Sequence, residues 1–409
     1  MGLERVREVF ARMGIEIASP LVVVGGTNGK GSTCAILEAI LRHAGHRTGL
    51  YTSPHLLRYN ERVRVNGASC SDDELVAAFN AVEDARNETP LTYFEYGTLA
   101  ALWRFAHARL DALVLEVGLG GRLDAVNVVD ATVAVVTTID IDHVDYLGET
   151  REQIGREKAG IFRSGRPAVC ADRDPPSSLI EHAQAIGALL FLIGRDFEYV
   201  ADSPVQWRFA GPAGMRYGLP TPALRGRYQL ANAATALAVV DLLRERLVIP
   251  AFAIREGLAA VELAGRFQVL PGQPSIVLDV AHNPHAARAL AATLGDMGFH
   301  PRTHAVVGMF GDKDIGGVVN AMKPRVDRWH TAPLPGPRGA SASRLRDVLI
   351  RAGVAPDDIF MHDDVEAAFA AARESADEAD RIIVFGSFLT VAAALAAVHP
   401  RDSAPHRHG

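Results

Sequence analysis

Residues 25–33 read "GGTNGKGST" and follow the apolar run "LVVV" at 21–24. Val22, Val23 and Val24 are β-branched and uncharged, which predicts a buried strand. After Thr33 the apolar residues Ile36, Leu37, Ile40 and Leu41 recur at helical spacing, and Gly45 stops the helix. A strand, a glycine loop and a helix in that order aim backbone N–H groups and a helix N-terminus at one point, where an anion is favoured. Lys30 adds a charge able to follow a transferring phosphoryl group. The two commonest glycine patterns do not fit. In Gly-x-x-x-x-Gly-Lys-Ser/Thr the first glycine would fall at Val24, and Gly31 separates Lys30 from Ser32. Gly26, Gly29 and Gly31 are spaced in the reverse sense to Gly-x-Gly-x-x-Gly. A bare strand-to-helix turn is the simpler alternative, but it has no need of Thr27, Asn28, Lys30 and Ser32 together.

The chain has 409 residues, too many for one ordinary core, so two domains are expected. Hydrophobic residues make up 48% and charged residues 22%, a globular balance. A net charge of −6 argues against broad nucleic-acid binding, so a phosphate pocket here has to be local. No apolar run is long enough to span a membrane, and "MGLERVREVF" lacks the apolar centre of a signal peptide. Cys34, Cys70 and Cys170 are odd in number and lack metal-ligand spacing, which suits a reducing cytoplasm.

Strand-like and helix-like segments alternate along the chain. "DALVLEVG" (111–118) and "DATVAVVTTID" (130–140) read as strands ending in acidic or hydroxyl residues, where open parallel sheets place ligands. "ANAATALAVVDLLRERL" (231–247) reads as a helix, and "AGRFQVLPGQPS" (264–275) breaks the pattern with Gly and Pro. A second alternation follows. The expected fold is α/β: a P-loop nucleotide-binding domain with a parallel-rich sheet over 1–265, a linker at 266–271, and a smaller Rossmann-like α/β domain over 272–400. The tail at 401–409 is expected to be flexible, and its histidines are poor metal candidates.

Several strand tips carry chemistry. Glu116 ends "DALVLE", a usual place to hold Mg²⁺ beside a phosphate loop; the plainer reading is a satisfied strand-end carboxylate. In "GLGGRLDAVN" (118–127) the glycines admit close backbone approach, and Asp124 is expected to project from the loop toward an N–H-rich ring. His143 lies among Asp140, Asp142 and Asp145, either as a second metal ligand or within a solvated acidic loop. Lys158, in the helical "REKAGIF" (156–162), would on most chains be a surface lysine. In the second domain "VLDVAHNPHA" (277–286) sets Asp279 and His282 at a strand tip, suited to acid–base or phosphate-facing work, while Asn283 before Pro284 reads as a helix cap. "GMFGDKD" (308–314) and "VFGSF" (384–388) are further strand ends, with Lys313 and Ser387.

With those motifs the chain resembles the folylpolyglutamate synthase/dihydrofolate synthase family, within the Mur-ligase-like superfamily of ATP-dependent amide ligases. The resemblance rests on "GTNGKGST", "YTSPHLLRYNERVRVNG", "YFEYGTLAAL", "LEVGLGGRLDAVN", "IDHVDYLG", "REKAGIF", "GRFQ", "LDVAHNPHA", "GMFGDKD" and "GSF", in family order over nearly the whole chain. Family members usually carry a further helical stretch ahead of "GLERV" (2–6), so no pterin contact is assigned to Leu3 or Arg5. The resemblance implies a phosphate loop at Thr27, Asn28, Gly29, Lys30, Gly31 and Ser32, and further ATP contacts at Asn232, Arg266 and Asp279. It implies Mg²⁺ ligands at Ser53, Glu116 and His143, a modified Lys158, and two ions. Pterin-side residues would be Thr92, Phe94, Glu95, Leu123, Asp124 and Ala125. Arg266, His282 and Ser387 would serve the glutamate side, with Lys30, Lys158, His282 and Asp279 as catalytic candidates.

The activity so implied is ligation of L-glutamate to dihydropteroate and to the γ-carboxylate of reduced folates through an acyl phosphate. "GGRLDA" and "TYFEYGTLAAL" look most like the bifunctional bacterial enzymes. The resemblance further implies a carbamylated Lys158, and charge explains why that would help. An ammonium about 4 Å from Mg²⁺ is repelled by roughly 8 kcal/mol at an effective dielectric of about 20, whereas a carbamate is attracted. Small molecules are the expected partners, with no nucleic acid or membrane, and the chain is expected to act as a monomer. A nucleotide-hydrolysing switch would use the same loop but leave the second domain's Asp279 and His282 unexplained.

Overall fold

The computed structural model describes residues 2–398; the tail at 401–409 lies outside the described residues. The chain separates into two compact units, one running to Ala223 and including Gln229–Glu262, the other made of Leu224–Tyr228 and the residues from Leu263 on.

The first unit is built on an eight-stranded sheet. Its strands are β1 (Leu21–Gly25), β2 (Thr48–Tyr51), β3 (Val63–Val65), β4 (Ala68–Ser69), β5 (Ala112–Glu116), β6 (Val133–Val136), β7 (Pro167–Cys170) and β8 (Leu189–Leu192). The order is β4-β3-β2-β5-β1-β6-β7-β8. β1 pairs in parallel with β5 and β6, and all five of its residues are buried. A central parallel strand is covered on both faces, which is why its sequence is a continuous apolar run rather than an alternating one. The chain turns one way from β1 to reach β2 and the other way to reach β6. The sheet therefore reverses direction at β1, and such sheets open a crevice there, at the carboxyl ends of the strands. The expected strand 130–140 shortens to Val133–Val136, and beyond it Thr137 and Thr138 turn their hydroxyls to the glycine loop.

A small antiparallel sheet, not anticipated from the sequence, follows: β9 (Glu198–Ala201), β10 (Gln206–Gly211) and β11 (Gly214–Pro220). Its signal was the alternation in "QWRF", where Trp207 and Phe209 are buried while Gln206 and Arg208 face solvent. The helix expected over 231–247 is Tyr228–Leu243, so it starts earlier and leaves "RERL" outside.

The second unit holds a six-stranded sheet: β12 (Gln268–Leu270), β13 (Ser275–Leu278), β14 (Thr303–Val307), β15 (Arg328–Thr331), β16 (Ile359–Met361) and β17 (Arg381–Phe385), in the order β12-β13-β17-β14-β15-β16. Five strands are parallel, and β12 is an antiparallel edge on β13. The stretch read as a linker, 266–271, thus contributes a strand to this sheet. Gly and Pro around it turn the chain into an edge hairpin instead of releasing it.

This sheet carries a row of imidazoles, buried at His304 and His330 and half-buried at His362. His304 Nδ1 lies 3.5 Å from His330 Nε2, and His330 Nδ1 lies 3.1 Å from His362 Nε2. Asp380 closes the row, 3.5 Å from His304 Nε2. Burial pushes His330 down to about 3, with the neighbouring His362, His304 and Arg328 acting in the same direction. Burial also lowers His304 and His362, partly opposed by Asp380 at the first and by Asp363 and Asp364 at the second. His330 is therefore neutral in the folded chain at pH values where the unfolded chain takes up a proton. Stability should fall as pH drops from about 6.5 toward 3, by at most about 1.4 kcal/mol per pH unit from this one group. Amide hydrogen exchange in β14 and β15 at pH 7.5 and pH 5 should show the loss, and His330→Phe should flatten the dependence. An equal slope in the variant would assign the titration to other groups.

Candidate functional site

Four neighbouring parallel strands of the first sheet lead into the expected residues at their carboxyl ends. β2 leads into Ser53, β5 ends at Glu116, β1 opens into the glycine loop, and β6 runs on toward His143. The loop itself has no room for side chains. At Gly26 (φ +141) a Cβ would sit 1.8 Å from Thr137 Oγ1, and at Gly29 (φ +87) one would sit 2.5 Å from Asn232 Oδ1. Both backbones lie in the left-handed half of φ space, open to glycine at little cost. The close approach is fixed by threonines. Thr137 Oγ1 donates to the Asn28 carbonyl at 2.6 Å, Asn28 N donates to Thr138 Oγ1 at 3.2 Å, and Thr27 N donates to the Thr138 carbonyl at 2.6 Å. Thr27 Oγ1 both accepts from Asp140 N and donates to the Asp140 carbonyl.

Lys30 begins the helix Lys30–His43 and folds back, its Nζ donating to the carbonyls of Gly26 and Thr27 at 3.1 and 3.2 Å. The adjacent Gly31 and Ser32 lie in the first turn, and Gln229 Nε2 reaches Ser32 Oγ at 3.4 Å. Asn232 is buried and donates to Gln229 Oε1 at 2.8 Å. The helix Tyr228–Leu243 thus holds the loop from behind.

Glu116 is 4% exposed and accepts the Ser53 N–H at 3.2 Å. His143 stands at the start of the short helix Val144–Leu147 with its Nε2 3.9 Å from Asp142. Among the described residues no group of three or more His, Cys, Asp and Glu forms a metal cage. A Mg²⁺-like ion needs only one or two protein ligands and fills the rest of its shell with water and substrate phosphates.

Lys158 is not the surface lysine its helical setting suggests. In the helix Arg151–Ala159 it is 3% exposed, and burial pushes its ammonium down to about 7. The charge of Lys30 adds to the shift, while Asp142 and Asp124 oppose it. Asp124 also departs from expectation. Rather than projecting, it turns inward at 5% exposure, its Oδ2 accepting from Leu119 N at 2.9 Å and its Oδ1 from Val126 N at 3.0 Å. A carboxylate just ahead of a 3₁₀ turn finds donors in its own loop, and capping that turn outweighs solvation. Burial pushes it up to about 6 against those two bonds.

The remaining pterin-side candidates flank this turn. Phe94 packs on Gly118, where a Cβ would lie 2.5 Å from its ring, and lies 6.1 Å from the Tyr51 ring. Thr92 and Glu95 form a reciprocal cap on the helix Tyr93–Ala106, and Glu95 pairs with Arg5 at 3.0 Å. Leu123 is half-buried and Ala125 is buried in the turn around Asp124.

In the second unit Asp279 follows β13 and Ser387 follows the adjacent β17. Asp279 is buried and accepts from Phe267 N at 2.9 Å and Ala281 N at 2.8 Å. Burial raises its carboxyl above the usual range, with Arg266 the largest opposing influence. Arg266 stacks over Phe388 at 5.2 Å. His282 Nδ1 donates to the Val280 carbonyl at 2.9 Å, which leaves the lone pair of a neutral ring on Nε2. Asn283 caps the helix Pro284–Asp296 as its sequence suggests. Ser387 Oγ is buried and shares a 2.7 Å contact with Thr390 Oγ1.

Sequence reading passed over Arg151 and Asp172. Asp172 Oδ2 accepts from Ile139 N at 2.7 Å, and Arg151 Nε donates to the Ile139 carbonyl at 3.0 Å, so the pair holds the segment that leads to His143. No local signal marks them, because they sit 21 residues apart and meet only in the fold.

Both units match known protein families. Residues 24–240 match the Mur ligase middle domain, and residues 265–388 match the Mur ligase glutamate ligase domain. The dihydrofolate synthase/folylpolyglutamate synthase of Escherichia coli is 47% identical over 405 residues, covering 98% of this chain and 92% of that one. The chain belongs to the dihydrofolate synthase/folylpolyglutamate synthase family of Mur ligases. Among solved structures, E. coli FolC in complex with DHPP and ADP has a TM-score of 0.91 at 47% identity, covering 98% of this chain and 94% of that one. A bifunctional folylpolyglutamate synthase/dihydrofolate synthase with Mn, AMPPNP and L-glutamate bound has a TM-score of 0.90 at 48% identity, again covering 98% and 94%.

The tightness of the loop gives a test independent of ligand. Gly29→Ala should lower thermal stability through two separable causes: a left-handed φ, costing about 1–2 kcal/mol, and the overlap with Asn232. Gly29→Ala combined with Asn232→Ala should recover the second part alone, a coupling readable from a double-mutant cycle. Strictly additive melting shifts would show that the two groups do not meet.

Proposed function

We propose that this chain is an ATP-dependent amide ligase that joins L-glutamate to dihydropteroate, forming dihydrofolate, and to the γ-carboxylate of reduced folates. The observation that carries the reading is the match along 98% of the chain to a relative of that name, at 47% identity. In this reading the first unit is a P-loop nucleotide-binding domain, the second a Rossmann-like glutamate-ligase domain, and the protein works as a cytoplasmic monomer.

The chemistry assigns a task to each group. The acceptor carboxylate attacks the γ-phosphorus of ATP, the β–γ bridging P–O bond breaks, and ADP leaves with the electron pair. The glutamate amine then attacks the acyl carbon, loses a proton, and the C–O bond to phosphate breaks. Lys30 is well placed on its own loop to exchange the carbonyls of Gly26 and Thr27 for phosphate oxygens, and the loop N–H groups follow the charge through the transfer. Glu116, His143 and Ser53 would hold a divalent cation, which when bound spreads the charge of the transferring phosphoryl. Asn232, Arg266 and Asp279 are read as ATP contacts, and Arg266, His282 and Ser387 as the glutamate side. Phe94, Thr92, Glu95 and the Leu123–Asp124–Ala125 turn are read as the pterin side.

Lys158 is read as carbamylated and as a ligand to a second cation. Its depressed pKa, about 7, supports this. Near neutral pH a large share of the amine is unprotonated and can add to CO₂, forming an N–C bond and releasing a proton. The product is an anion with two oxygen donors, in place of an ammonium beside Lys30.

One assay tests the reaction: ADP release with ATP, Mg²⁺ and glutamate, offering dihydropteroate or tetrahydrofolate separately. Release should require both glutamate and an acceptor; equal release without an acceptor would point to a nucleotide-hydrolysing switch. A second experiment tests the modification. Protein equilibrated with ¹³C-bicarbonate should show a carbamate carbon resonance that is absent in Lys158→Ala, and that variant should lose ligase activity. A fully active Lys158→Ala chain would overturn the assignment.

A further inference from the structure

The turn that carries Asp124 and the helix that carries Lys158 are not merely neighbours. They are locked backbone to backbone. A Cβ at Gly121 would fall 2.9 Å from the carbonyl oxygens of both Glu157 and Lys158, and one at Gly160 would fall 2.4 Å from the Cβ of Arg122. Arg122 N donates to the Glu157 carbonyl at 2.8 Å. Neither segment can shift along the other without closing those gaps.

Two side chains bridge the seam: Arg122 pairs with Glu157 at 2.8 Å on the solvent side, and Asn127 spans it from within. Asn127 Nδ2 donates to the Arg122 carbonyl at 3.0 Å, on the glycine turn, and to the Gly160 carbonyl at 3.1 Å, just past the end of the Lys158 helix. Its Oδ1 accepts from Arg163 Nη2 at 2.9 Å, so both amide hydrogens and the carbonyl are used. Asn127 is 6% exposed. Arg163 is anchored in turn by an ion pair with Asp130. Asn127 stands three residues after Asp124, and Gly160 two residues after Lys158.

We infer that Asn127, backed by Arg163, is a positioning residue that sets the separation between the acceptor-recognising turn at Asp124 and the phosphoryl-side helix at Lys158. The inference rests on the functional reading above. It supplies what that reading lacks, a reason why an acceptor held by its ring system would present its carboxylate in register with the transferring phosphate. In-line attack needs the reacting atoms within about 3–3.5 Å, and a misplacement of about 1 Å costs on the order of 100-fold in rate. The nucleotide loop is held by different groups, Thr137, Thr138 and Asn232, so loosening the seam should spare nucleotide binding.

The test compares Asn127→Ala and Arg163→Gln with the unaltered chain. Asn127→Ala should lower kcat by about 10- to 100-fold, while the Kd for ADP and the KM for ATP each change by less than about 3-fold. Arg163→Gln leaves the buried amide in place and should fall between, so it keeps the test open where Asn127→Ala folds poorly. The Lys158 ¹³C-carbamate resonance should shift or weaken in Asn127→Ala, which a remote structural role would not produce. Unchanged kcat in the folded variants overturns the inference and leaves the ligase reading standing. So does a loss of kcat that simply tracks a loss of ADP affinity. Absence of ligation in the unaltered chain would overturn both.

Discussion

The first unit depends on a loop too tight to carry side chains. Between β1 and its helix the chain passes within contact distance of Thr137 on one side and Asn232 on the other, with no space for a Cβ at Gly26 or Gly29. The hydroxyls of Thr137 and Thr138 take the Asn28 carbonyl, and the Lys30 ammonium takes those of Gly26 and Thr27. A glycine loop leading into a helix N-terminus, with one cation beside it, is the kind of arrangement that favours an anion. The strand before it has to be central and fully buried, since only a rigid base can hold so short a loop at both flanks.

Around that loop the protein buries charge where burial shifts protonation rather than stabilising ion pairs. Lys158 falls to about 7 and Asp124 rises to about 6, so burial draws both from their ordinary values toward neutrality. Among the described residues neither makes an ion pair that would restore its ordinary value; the largest influence on each is loss of solvent. Clefts with such groups are where proton transfer and covalent modification of side chains are accessible near pH 7. The second unit repeats the device at Asp279, buried at a strand tip, held by two backbone N–H groups and facing an arginine.

Much of this was legible in the chain. "LVVV" before "GGTNGKGST" gave the central strand and its loop, because continuous β-branched residues can be buried on both faces of a parallel sheet. Glu116 could be placed at the end of a strand because the tips of parallel strands share one edge of the sheet. Asn283 before Pro284 declared its own helix start. Other features had no local mark. The edge strand Gln268–Leu270 sits in a Gly- and Pro-rich stretch that reads as a connector. Asp172 and Arg151 matter through a segment neither adjoins in sequence, and Asn127 through carbonyls five and 33 residues away.

The sequence by itself determined the alternation of strands and helices, the glycine loop and the types of group at the strand tips. These follow from backbone sterics, side-chain periodicity and charge, which act over a few residues. The tertiary structure alone decided that Lys158 is buried rather than solvated, that Asp124 faces its own loop, and that one asparagine joins the two. Burial depends on what the rest of the chain packs against a position, and protonation follows burial. A lysine on an exposed helix and a lysine sealed beside another cation can have the same neighbours in sequence, and only the fold distinguishes them.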